Sequence, residues 1–120
     1  MKLLRRLDVA TLRAAAWALR AVRQTRRELR SGGLREIDVI APPNVPETAG
    51  RGVAYVVRRL EPTCLERALV LQRWLSAHRR PTDVIIGVAR PNGTYRAHAW
   101  LEGEPVGNTP YQELTRIPAR

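Results

Sequence analysis

Two side chains in this sequence have the chemistry to carry out nucleophilic acyl transfer together. They are Cys64, the single cysteine, and His98, one of two histidines. In such a reaction a thiolate attacks, an imidazole serves as its base, and a further group often holds the imidazole in place. Cys64 stands within Thr63-Cys64-Leu65-Glu66, which fits the Ser/Thr-x-x-Glu pattern of a helix capping box. Thr63 is then the N-cap and Cys64 the first helical residue. There the positive end of the helix dipole and the free amides of the first turn favour a thiolate over a thiol. The same helix start, at Thr63, Cys64 and Leu65, offers N–H groups to an oxyanion. The competing reading of a lone cysteine is a small buried hydrophobe.

His98 lies in Tyr95-Arg96-Ala97-His98-Ala99-Trp100, between two alanines that leave room for a neighbouring element. Strand alternation puts it on one face with Arg96, Trp100 and Glu102. His78 is fourteen residues from Cys64, roughly 21 Å along a helix, and is read as a surface or C-terminal capping residue. A turn over Glu102–Pro105 is expected to fold a short third strand, Val106–Thr109, back beside His98. That brings Asn108 opposite the imidazole, where it would accept from the ring N–H. Glu102 and Asp83 are the carboxylate alternatives. One cysteine and two separated histidines make no zinc pattern, so neither a metal nor a cofactor is expected.

Elements that would position these groups follow from periodicity. Residues 9–30 read as a helix with Leu12, Ala15, Ala16, Leu19 and Val22 inward and arginines on the other faces, stopped by Ser31-Gly32-Gly33. Residues 31–50 carry Pro42, Pro43 and Pro46 and read as a loop. A second helix spans 51–60, with Val53, Ala54, Val57 and Leu60 on one side, and ends at Glu61-Pro62. A third runs from Cys64 to about His78, with Leu65, Ala68, Leu69, Gln72 and Leu75 inward. The period then changes. Val84–Val88 is a β-branched strand, Pro91-Asn92-Gly93 a turn, and Tyr95–Leu101 the next strand. Helices followed by an antiparallel meander predict an α+β fold in one domain, residues 1–120, with the nucleophile at a helix start packed on a small sheet.

Of 120 residues, 21 are Lys or Arg and 11 Asp or Glu. Most of the excess sits in residues 1–30, a basic amphipathic segment. Arg20, Arg23 and Arg27 on it are candidates for binding an acidic partner. The alternative is a solvated face, which the preference for arginine over lysine across the chain favours. Nucleic-acid binding through this segment is disfavoured, because no binding motif accompanies it and phenylalanine is absent. Asp8, Arg13 and Arg20 interrupt every candidate signal-peptide core, and no apolar run approaches a membrane span. A cytoplasmic location is expected, and one cysteine allows no internal disulfide.

Read in order, Cys64-Leu65-Glu66-Arg67-Ala68-Leu69, Val84-Ile85-Ile86-Gly87-Val88 and His98-Ala99-Trp100-Leu101-Glu102 resemble the transglutaminase-like, papain-like core of the lasso-peptide maturation B proteins. The likeness covers roughly residues 50–110, and 51–110 would be the peptidase core. It implies a cysteine peptidase that removes the leader from a ribosomally made precursor before a separate cyclase closes the macrolactam ring. Cys64 is then the nucleophile and His98 the base. The family usually supplies an aspartate after the histidine, where this chain offers Asn108. Longer relatives carry a fused leader-recognition domain. This chain resembles the split form, which implies a separate leader-recognition protein as partner, possible contact with the cyclase, and a docking role for Arg20, Arg23 and Arg27. Other readings are an inert scaffold of the maturation complex and a transglutaminase acting through the same dyad.

Overall fold

The computed structural model describes residues 8–34 and 37–119. The basic residues before Asp8 and those at 35 and 36 lie outside the described residues. Three helices come first: α1 (Val9–Ser31), α2 (Gly50–Leu60) and α3 (Cys64–Ala77). Strands β1 (Val84–Ala89), β2 (Arg96–Leu101) and β3 (Gln112–Ile117) follow, so the α+β expectation holds. Asp8 caps α1 by accepting from the Thr11 amide at 2.7 Å. Glu61, which precedes Pro62, ends α2 in a left-handed conformation, φ 46°, since proline bars its predecessor from the right-handed helix.

The inward stripe of α1 shares only Val22 with the Leu12, Ala15, Ala16, Leu19 and Val22 expectation. Thr11, Ala14, Trp17, Ala18, Ala21, Val22 and Thr25 are buried, while Leu12 and Ala16 face solvent. The reason is the distance between helices. α2 crosses α1 so closely that a methyl group on Gly52 would meet the Thr11 carbonyl oxygen at 2.3 Å, and only small residues admit such an approach. On α2, Ala54 is likewise exposed, and Gly52 takes its place in the interface. Trp17 belongs to the core and donates to the Ile40 carbonyl at 2.9 Å.

α3 packs against both α1 and β2 and is the central helix. Ala68, Leu69, Val70 and Trp74 are buried on it. Gln72, read as inward, donates to the carbonyls of Thr82 and Ile117 at 3.0 and 2.9 Å, tying the helix to the end of the sheet where β1 begins and β3 finishes. His78 forms the C-cap, as expected, with Nδ1 facing the Trp74 carbonyl at 2.8 Å and Nε2 the Val45 carbonyl at 3.0 Å.

The sheet departs from a meander. Its order is β2-β1-β3, so β1 is central and β2 is an edge strand. No strand forms over 106–109. Pro105 and Pro110 lack the N–H a ladder needs, and Gly107 takes φ 74°. The chain instead crosses β1 and returns as Gln112–Ile117, pairing antiparallel with β1. Val84, Ala99, Leu101 and Ile117 join the core under α3. Alternation therefore leaves Ile85, Gly87, His98 and Trp100 on the opposite face.

Candidate active site

The capping box is formed in full. Thr63 Oγ1 accepts from the Glu66 amide at 3.2 Å, and a Glu66 carboxylate oxygen accepts from the Thr63 amide at 3.0 Å. This commits the Thr63 N–H, so of the three helix-start groups proposed for an oxyanion only the amides of Cys64 and Leu65 remain. Neither has an acceptor among the described residues. Arg26 of α1 reinforces the box from outside. Its Nε donates to the same Glu66 oxygen at 3.0 Å and its Nη2 to the Leu60 carbonyl at 2.9 Å. Glu66 is only 8% exposed, so Glu66→Ala, which strands Arg26 and undoes the cap, is expected to cost about 2–4 kcal/mol in denaturant unfolding. A loss below about 0.5 kcal/mol, the level of an ordinary surface substitution, would show that the network carries no weight.

Cys64 is half-buried, and its sulfur accepts from the Ala99 amide at 3.4 Å. That amide points away from β1, across the free edge of β2. The sulfur therefore lies within about 6 Å of the His98 Cα, because one carbonyl carbon separates that Cα from the Ala99 nitrogen. No hydrogen bond joins sulfur and imidazole in this structure. Nucleophile–base contacts are often loose in unliganded sites and tighten only with substrate. His98 instead sits in a cluster of rings. Its centroid is 5.7 Å from Trp100, nearly parallel at 18°, and 5.3 Å from Tyr111.

None of the three proposed orienting groups meets the imidazole. Asn108 lies exposed in the turn that begins at Gly107, because the strand meant to carry it past His98 does not form. Glu102 and Asp83 both turn to the Arg116 guanidinium, which Glu113 also engages at 2.6 Å. The Glu113 and Glu102 carboxylates hold the Arg116 guanidinium above its ordinary range, Glu113 foremost, against the effect of burial.

The acidic residue nearest to the site in effect is one the sequence did not disclose. Glu104 receives a two-pronged contact from Arg67, one turn beyond Cys64 on α3, at 3.1 and 2.8 Å. It also accepts from the Leu101 amide at 3.0 Å. The Arg67 hydrogen bonds hold its carboxyl below the ordinary 4.5, against the effect of burial, with smaller help from the Leu101 amide and from the charges of Arg67 and His98. A depressed value means that the pair stabilises the fold fully above pH 4.5 and is lost as pH falls through the lowered value. Glu104→Gln is therefore expected to flatten the acid decline of the thermal midpoint, measured from about pH 6 to pH 3. An unchanged decline would show that the pair contributes nothing. No local pattern signals this contact, since its partners are 37 residues apart.

Arg20, Arg23 and Arg27 are exposed and line an open basin on α1 with Gln24 and Arg30. Among the described residues none of the three forms an ion pair. No group of three or more His, Cys, Asp or Glu able to hold a metal occurs among the described residues, and none of their helices is long and apolar enough to cross a membrane.

The structure thus sets a helix-start cysteine against the histidine-bearing edge strand of a small antiparallel sheet. The chain belongs to the transglutaminase-like superfamily, whose model matches residues 3–119. That superfamily includes cysteine peptidases. No curated protein and no solved structure matches the chain.

Proposed function

We propose that the protein is a cysteine peptidase that removes the leader from a ribosomally made lasso-peptide precursor. It would act with a separate leader-recognition protein and ahead of a macrolactam cyclase. The observation that supports this reading is the hydrogen bond from the Ala99 amide to the Cys64 sulfur, which puts the sulfur within about 6 Å of the His98 Cα. The three motif segments, in order, supply the substrate class by resemblance.

In the proposed path His98 takes the Cys64 proton and the thiolate attacks the carbonyl carbon at the end of the leader. A C–S bond forms, and the amides of Cys64 and Leu65 hold the oxyanion. Collapse of the intermediate breaks the C–N bond, and His98 protonates the departing amine of the core peptide. Water, deprotonated by His98, then hydrolyses the thioester, releasing the leader as a carboxylate and the free thiol. Arg20, Arg23 and Arg27 are offered as the docking surface for the leader-recognition protein or an acidic leader.

The test is incubation of the protein with a precursor and a leader-binding partner, followed by mass spectrometry. Cleavage at one peptide bond, with a leader thioester on Cys64 trapped at short times, supports the reading. Complex formation without cleavage under any condition points to the inert scaffold instead. Joining of the leader to an added amine, in preference to hydrolysis, points to a transglutaminase.

A further inference from the structure

A general base needs its ring fixed, and in this site hydrogen bonding does not fix it. Among the described residues no hydrogen bond ends on either His98 nitrogen. Asn108 lies exposed in its turn, Asp83 and Glu102 are engaged by Arg116, and each oxygen of Glu104 accepts from Arg67. What does surround the imidazole is aromatic. Trp100 stacks on it, Tyr111 leans against it, and these two rings touch each other with centroids 5.7 Å apart. The cluster has a floor. Gly87 is the β1 residue paired with His98, and a methyl group there would meet the far edge of the Trp100 indole at 2.7 Å and the Gln112 carbonyl oxygen at 3.0 Å. The indole thus lies across the backbone of the central strand in the space the missing side chain leaves.

We propose that Trp100 and Tyr111, seated over Gly87, are positioning residues that orient the His98 imidazole toward Cys64 in place of a third polar group. This inference rests on the peptidase reading above. Stacked and tilted rings at these separations attract one another beyond their simple burial. Three mutually touching rings leave the imidazole few ways to turn, while both nitrogens stay free for the sulfur and the substrate. Strand alternation places His98 and Trp100 on one face at a spacing of two residues. Tyr111 reaches the same face because the chain crosses β1 to begin β3 immediately after it.

Alkylation of Cys64 by iodoacetamide at about pH 6, where a free thiol is almost wholly protonated, tests this without any peptide substrate. The wild-type protein should react rapidly and His98→Ala slowly. Trp100→Ala and Tyr111→Ala should each slow the reaction about tenfold or more, as misplacement of a base does. Trp100→Phe and Tyr111→Phe keep a ring and should restore most of the rate. Thermal midpoints of all variants show that each is folded. Tyr111, in a loop and half-buried, provides the decisive variant should Trp100→Ala not fold. If the wild-type rate depends on His98 and both alanine variants match it, the aromatic arrangement is rejected and the peptidase reading stands. If Asn108→Ala alone removes the rate, a polar side chain orients the ring and the proposal is overturned. If wild type and His98→Ala react alike, the dyad itself fails, and the peptidase reading with it.

Discussion

Cys64→Ala is expected to lower precursor cleavage by about 10⁴-fold or more, since removing a nucleophile eliminates the covalent path and leaves only binding and oxyanion stabilisation. His98→Ala should cost about 10²–10⁴-fold, the usual share of a positioned general base. The pair should be far from additive, because each side chain works only through the other. Neither change should unfold the protein. Cys64 is half-buried, with one weak hydrogen bond to the Ala99 amide, and His98 stands outside the core cluster on the far face of the sheet. The measurement is initial cleavage rate by mass spectrometry, with thermal midpoints as the folding control. Equal rates for the wild type and Cys64→Ala, in preparations free of other peptidases, would remove the enzymatic reading altogether.

Gly52→Ala is expected to be the most damaging single-methyl change in the fold. Inside a helix this substitution ordinarily helps, by up to about 1 kcal/mol, because alanine restricts the unfolded chain and favours the helix. Here the sign reverses. The new methyl would lie 2.3 Å from the Thr11 carbonyl oxygen and 3.2 Å from the Ala15 nitrogen. Both are backbone atoms of α1, so no side-chain rotation relieves the contact and the two helices must separate. Overpacking of a well-fitted interior costs about 1–3 kcal/mol and more where backbone must move. For a domain of this size a fall of about 4–12 °C in the thermal midpoint follows, and more where the helices part. Gly33→Ala, whose methyl meets nothing within 4 Å, is the control and should leave the midpoint near its original value. A midpoint in Gly52→Ala equal to or above wild type would show that α1 and α2 are not in close contact.

The parts of this architecture that sequence discloses are those governed by neighbours along the chain. Thr63 and Glu66 are three residues apart, and their reciprocal bonds follow from helix geometry alone. The start of α3, and with it the placement of Cys64, was therefore legible. So was the strand bearing His98, from alternation between its alanines and bulkier residues. What escaped reading depends on distance. Arg26 reaches Glu66 across 40 residues and Arg67 reaches Glu104 across 37, and nothing local marks either arginine as different from its solvated neighbours. The inward face of α1 is rotated from the Leu12, Ala15, Ala16, Leu19 and Val22 stripe that apolar spacing suggests, of which only Val22 is fully buried. The close approach at Gly52 selects alanine and threonine and leaves Leu12 outside. Asn108 was assigned to the imidazole on the assumption of a tight hairpin. The two prolines flanking it are local signals against that strand, and the Gln112–Ile117 stretch beyond is where the pairing with β1 lies.

The outward amides of β2 have one more consequence. A strand at a sheet's border normally displays a row of vacant donors on which another polypeptide can add. In this protein two successive members of that row are already occupied, the Ala99 N–H by the Cys64 sulfur and the Leu101 N–H by the Glu104 carboxylate. At these two positions the border is obstructed, which disfavours addition of a second copy's strand along it. The opposite border, β3, displays the charged pair Glu113 and Arg116, the kind of residue that discourages aggregation along a rim.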